Sequence, residues 1–157
     1  MSKFVVYVPL PKYLSEWLVS RLGNPVVFPA SSPQNAVIRT FINRPPKDYV
    51  PETGSESTPA IAIPDSVSKP ANTFFYMTRK GKEAVAEACK DLFLRALWTD
   101  LSPLIESPVG LNSLIAAWCE SNGIGLDRVE TVRQCFYRIR KDYARNGVNL
   151  RKSSRKK

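Results

Sequence analysis

Apolar and polar positions follow different periods along the chain, and each change of period marks an element. Residues 3–8 read Lys-Phe-Val-Val-Tyr-Val, a β-branched and aromatic run that predicts a buried strand. Pro9 ends it, and Pro11 suits the first position of a helix whose apolar side is Tyr13, Leu14, Trp17, Leu18 and Leu22. Gly23-Asn24-Pro25 stops that helix. Val26-Val27-Phe28 predicts a short strand, and Ser32-Pro33 predicts a helix start, with a capping hydroxyl ahead of a first-turn proline. Ala36, Val37, Ile38, Phe41 and Ile42 supply the apolar face of this helix. The first 43 residues therefore read strand–helix–strand–helix.

Residues 44–59 break the pattern. Pro45, Pro46, Pro51 and Pro59 punctuate a stretch with few large apolar groups, which predicts an extended surface loop. It serves either as a plain connection or as an arm laid on a partner. Ala60 to Ile63 predicts a further strand, and Asn72 to Met77 another. The three adjacent rings Phe74, Phe75 and Tyr76 either pack a sheet against a helix or stack on bases. From Thr78 to about Asp100 the period becomes helical, with Thr78 as cap and Val85, Cys89, Leu92, Leu97 and Trp98 among the apolar positions. Gly81 weakens the first turn of this helix.

The last third carries two more helical stripes. Leu111, Leu114, Ile115 and Trp118 form one, ending at Ser121-Asn122-Gly123. Asp127 and Glu130 form a capping-box-like pair ahead of the other, whose apolar face is Val129, Val132, Phe136, Ile139 and Tyr143. The neighbouring face carries Gln134, Arg138, Lys141 and Arg145, and Arg133, Tyr137 and Arg140 lie between the two. One side should enter a core while the other presents cations, an amide and a ring, a surface that suits phosphate and base contacts. Base-edge readout would fall to Thr131, Gln134, Arg138 and Lys141.

This pair of stripes resembles the helix-turn-helix of DNA-binding domains over about 35 residues. Gly123 stands where that family places its turn glycine, Cys119 takes the small-residue position four places earlier, and Trp118, Ile124, Val129 and Val132 take buried positions. Two departures are plain. Asn122 occupies a position that is usually apolar, and Asp127 and Glu130 place acids where a recognition helix approaches the groove. A structural helical hairpin satisfies the same pattern, so both readings stay open on sequence.

Charge sharpens the picture. The 157 residues carry a net charge of +9. Residues 128–157 hold 11 Lys/Arg against Glu130 and Asp142, and residues 1–127 hold 12 of each sign, so the whole excess sits in the last 30 residues. A neutral body with a basic end points to a polyanion-binding surface whose affinity falls with salt. The final stretch, with Arg151, Lys152 and Arg155, has no apolar residue after Leu150 and is expected to form a disordered tail that embraces a backbone or remains a solvated end.

Composition removes several chemistries. There is no histidine, which excludes histidine general bases and histidine-dependent triads within this chain. Cys89, Cys119 and Cys135 lack Cys-x-x-Cys spacing, so no zinc site, other metal or disulfide framework is expected, and a reducing cytoplasm is the expected location. No phosphate-binding glycine loop or Gly-x-Ser-x-Gly motif occurs, and no cofactor is expected. The longest apolar run, Phe4 to Leu10, is far below the about 20 residues of a membrane span and is expected to be a strand, not a leader.

The expected fold class is α+β. A small strand-and-helix body spans 1–77 with its Pro-rich loop at 44–59, followed by a central helix (78–106), a helix-turn-helix-like region (107–147) and a basic tail (148–157). The expected function is non-enzymatic nucleic-acid binding, with DNA favoured over RNA and a duplex over single strands. The expected contacts are Thr131, Arg133, Gln134, Tyr137, Arg138, Lys141, Arg145, Arg151, Lys152 and Arg155. Small regulators or accessory proteins of phages and mobile elements are compatible by fold-level analogy, as is a homodimer. The alternative is a protein–protein adaptor whose basic end binds an acidic partner.

Overall fold

A computed structural model of the chain describes residues 4–145. The chain divides between Leu92 and Phe93 into two compact units. The fold is α+β, as the pattern predicts, with helices α1 (Lys12–Leu22), α2 (Pro33–Phe41), α3 (Arg79–Leu101), α4 (Leu111–Ser121) and α5 (Val129–Arg145). Strands β1 (Val5–Tyr7), β2 (Ile42–Asn43), β3 (Ala60–Ala62) and β4 (Tyr76–Met77) form two small antiparallel sheets. The boundary between the units falls inside the long central helix α3.

In the first unit, β1 pairs with β3 with Val6 opposite Ile61, and both of these side chains are buried. The predicted strand at 26–28 contributes a single bridge. The Val26 N–H donates to the Ala60 carbonyl at 2.9 Å, and the Ala62 N–H donates back to Val26 at 2.8 Å, so Val26 faces Ile61 in parallel. Leu14, Trp17 and Leu18 of α1 and Ile38 of α2 fill the same core. Ser32 caps α2 as its type and position predict, its hydroxyl accepting the Asn35 N–H at 3.2 Å. The other end of α2 is closed by Lys69, whose ammonium donates to the carbonyls of Arg39 (2.8 Å) and Ile42 (3.1 Å).

The second sheet is shorter than the apolar run suggests. β4 begins only at Tyr76, because the Thr73 and Phe74 N–H groups are turned back to Pro70 at 3.0 and 2.9 Å. It pairs with β2, two residues that follow directly on α2 and carry no strand pattern of their own. Thr78 caps α3 through a hydroxyl that accepts the Gly81 N–H at 3.3 Å. Gly81 is buried for a packing reason. A Cβ there would lie 2.6 Å from Met77 Cγ and 2.9 Å from Phe41 Cβ.

The loop at 44–59 does not stand away as an arm. Its Ser57 and Pro59 carbonyls accept the Leu10 N–H at 2.8 Å and the Val8 N–H at 3.4 Å. Ser15 donates to the Glu56 carbonyl at 2.7 Å, and Lys12 and Lys82 pair with Glu56 and Glu52. Prolines lack a donor but keep an acceptor, so a proline-rich segment can still be fastened through its carbonyls.

The second unit packs the C-terminal end of α3 with α4 and α5. Phe93, Leu97 and Leu101 are buried with Ile115 and Cys119 of α4 and Val132 and Phe136 of α5. Three ring pairs order this core: Phe93 edge-on to Trp118 at 5.7 Å, Trp98 stacked on Phe136 at 5.4 Å, and Trp98 on Tyr143 at 5.2 Å. Aromatic pairs of this kind add about 0.5–1.5 kcal/mol each beyond their buried area. No helix among the described residues is long and apolar enough to cross a membrane.

Candidate nucleic-acid interface

The turn between α4 and α5 is built by backbone hydrogen bonds. Gly123 has φ 74°, the left-handed region where a side chain is strained. The Ile124 N–H donates to Cys119 at 2.9 Å and the Gly123 N–H to Glu120 at 3.3 Å, which closes the last turn of α4 as a Schellman motif. Asn122, the unusual polar residue here, donates to the Trp118 carbonyl from its side-chain amide at 2.8 Å and from its backbone N–H at 3.1 Å, so it fastens the helix end twice. Ile124 is buried just beyond.

The entry to α5 differs from the capping box that the sequence suggests. Leu126–Arg128 forms a single tight turn with Gly125 ahead of it, and the Arg128 N–H donates to the Gly125 carbonyl at 2.9 Å. Asp127 lies inside this turn and pairs with Arg128. Glu130 bends along the helix toward Arg133 and Gln134. Both acids that stood against groove binding are thus accompanied by neighbouring arginines.

Along α5 the two faces separate as the period predicts. Val132, Cys135 and Phe136 are buried, and Val129, Ile139 and Tyr143 are half-buried. Thr131, Gln134, Tyr137, Arg138 and Lys141 are all exposed, forming a stripe about 15 Å long at 1.5 Å per residue. Arg138 and Lys141 pair with no acid among the described residues. Arg133, between the two faces, is half-buried and pairs with Glu130. The side chain of Arg145, and Arg151, Lys152 and Arg155 with the rest of the tail, lie outside the described residues.

Two further residues join this surface. The Tyr137 hydroxyl donates to the Asn112 amide oxygen at 3.0 Å, which ties the first turn of α4 to the exposed face of α5. Leu126 is 80 % exposed at the turn from which α5 starts. Neither stands out in the sequence, because Asn112 lies outside the basic segment and Leu126 is a single apolar residue in the connection between the two helices.

The rings of Phe74, Phe75 and Tyr76, in the other unit, are half-buried and engage one another's neighbours. Phe75 stacks on Phe4 at 5.4 Å, Tyr49 meets the edges of Phe75 and Tyr76 at 5.7 and 5.8 Å, and the Arg44 guanidinium lies 5.0 Å over Phe74. These contacts pack the rings against their neighbours and cover a face of Phe74 and a face of Phe75. The thiols are likewise packing groups. All three cysteines are buried, and burial pushes Cys89 up to about 12 and Cys119 up to about 11, far from a reactive thiolate. No cluster of three or more Cys, Asp or Glu side chains among the described residues is arranged to hold a metal ion.

No family model, curated protein sequence or solved structure matches the chain.

Proposed function

We propose that the second unit binds nucleic acid without catalysing a reaction, reading duplex DNA as a helix-turn-helix with the exposed face of α5. One observation carries the proposal: cations without acid partners, a hydroxyl, an amide and a ring share one solvent face of a helix whose opposite face is fixed in a core. Arg138 and Lys141 supply charge for phosphate or guanine, Gln134 an amide for adenine, and Leu126 an apolar contact for a thymine methyl. A hairpin of two helices backed by a third gives the rigid support that groove recognition needs. The basic residues of the tail, Arg151, Lys152 and Arg155 among them, add sequence-independent attraction to the backbone.

Fluorescence anisotropy with labelled duplex and single-stranded DNA across a salt series tests this on the full chain. The double substitution Arg138→Ala with Lys141→Ala should abolish duplex preference and flatten the salt slope by roughly 1 to 2, because each phosphate contact contributes about 0.9. Substitution of Arg151, Lys152 and Arg155 by Ala should weaken binding evenly and leave the preference intact. Absence of binding to either form at low salt would overturn the proposal and direct the basic end to an acidic protein partner.

A further inference from the structure

The first unit holds a cleft of about 630 Å³ that plays no part in the nucleic-acid reading. It opens just past the C-terminal ends of two neighbouring extended segments. Val26 and Ile61 face one another in parallel, and the residues that follow them, 27–30 and 62–65, form its walls. The segment after Val26 leads into α2, whose first turn brings Asn35 and whose last turn brings Arg39 to the same cleft.

Its lining is of two kinds. Phe28 and Ile63, buried at 3 % and 1 % exposure, form an apolar wall. Asn35, Arg39 and Asp65 are the polar groups. Asn35 is 5 % exposed, and its amide nitrogen donates to the carbonyls of Phe28 (3.2 Å) and Pro29 (3.0 Å). That fixes the side chain and leaves its amide oxygen with no donor among the described residues. One oxygen of Asp65 accepts the Ala71 N–H at 2.9 Å, and the other remains available. Arg39 forms no ion pair among the described residues, with Asp65 or with any other acid. A cation and an anion share one cleft without neutralising each other, beside the amide oxygen of Asn35.

We propose that this cleft binds a small zwitterion with an apolar body, an α-amino acid of the leucine or phenylalanine type. Its carboxylate meets the Arg39 guanidinium, whose planar fork takes two carboxylate oxygens at once. Its ammonium, with three donors, meets Asp65 and the Asn35 amide oxygen. Its side chain lies against Phe28 and Ile63, which supplies the apolar burial that small-molecule sites require.

Isothermal titration calorimetry of the full chain with leucine, phenylalanine, N-acetyl-leucine and leucinamide tests the assignment. The free amino acids should bind, and each blocked compound should bind at least about tenfold more weakly, since each removes one charge. Arg39→Met keeps the side-chain stem on α2 and should weaken leucine by about tenfold or more. Asp65→Asn keeps an acceptor for the Ala71 N–H and should weaken leucine similarly, with circular dichroism showing that both variants remain folded. No heat from any compound at about 10 mM, equal affinity for leucine and N-acetyl-leucine, or unchanged affinity in folded Arg39→Met would each overturn the proposal. DNA binding is read from the other unit, so its success or failure is a separate result.

Discussion

The Trp118 indole N–H donates to the Asp100 carboxylate at 2.8 Å, joining α4 to the C-terminal end of α3 within the second unit. The same indole meets the Phe93 ring edge-on at 5.7 Å. One helix thus holds Trp118 by a polar and an apolar contact, and the α4–α5 hairpin is anchored through it.

Trp118→Phe keeps a ring beside Phe93 and removes the donor together with part of the buried indole. It should cost about 2 kcal/mol or more, since the bond to the exposed Asp100 lies at the lower end of the roughly 1.5–3 kcal/mol range for charged groups and lost packing adds to it. Asp100→Ala should cost about 1.5 kcal/mol, and the double variant less than the sum of the two by roughly that amount. Urea denaturation followed by circular dichroism measures the cycle, and fully additive losses would show that the bond contributes nothing.

At the turn of the hairpin, Gly123→Ala forces a Cβ into φ 74° and should cost about 1 kcal/mol. Gly123→Asn should cost less, because asparagine tolerates this region better. Thermal melts of the full chain compare the three residues. An alanine variant as stable as the parent would mean that the turn relaxes into another conformation.

The Lys69 ammonium closes the C-terminal end of α2 through two carbonyls. Lys69→Met keeps the stem and loses both bonds, so a loss of about 1–2 kcal/mol is expected. Amide exchange should rise in the last turn of α2. Unchanged protection there would show that water replaces the ammonium at no cost.

Alkali should weaken the fold through its thiols. Burial moves Cys89 from 9.0 up to about 12 and Cys119 from 9.0 up to about 11, so folding favours their neutral forms. Above pH 9 the unfolded chain holds fewer protons at these groups than the folded chain, and stability falls with rising pH. Their contribution is intact below pH 9, declines from there, and levels off above about 11 for Cys119 and about 12 for Cys89. Urea midpoints from pH 8 to 11 should show this decline, and Cys89→Ala with Cys119→Ala should flatten it while lowering stability at neutral pH by roughly 1 kcal/mol per site. An equal decline in the double variant would assign the effect to other groups.

Much of the helical architecture was legible in the chain because its signals are local. Ser32 and Thr78 cap helices where their hydroxyls and spacing predict, and Gly123 ends α4. The strands were read less well. β2 is two residues long and has no pattern of its own, and Asn72 to Phe75 looks like a strand but turns back on Pro70. Pairing of short segments is decided by what they meet, and a sequence window does not contain the partner.

The candidate site divides in the same way. The helical period alone placed Gln134, Arg138 and Lys141 on one exposed face, with Tyr137 at its border, since a 3.6-residue repeat converts spacing directly into direction. It did not show that Arg133 folds back on Glu130, that Asp127 pairs with Arg128, or that Asn112 meets Tyr137 across the hairpin. The cleft at Asn35, Arg39 and Asp65 was invisible for a stronger reason. Its walls come from segments more than 30 residues apart that are brought together by the Val26–Ile61 bridge. Sequence by itself determined the fold class, the helices, the basic end and the face that bears it, because composition and periodicity are properties of neighbouring residues. Tertiary structure alone decided which charges remain unpaired and where a cleft opens, because these depend on contacts between residues distant in the chain.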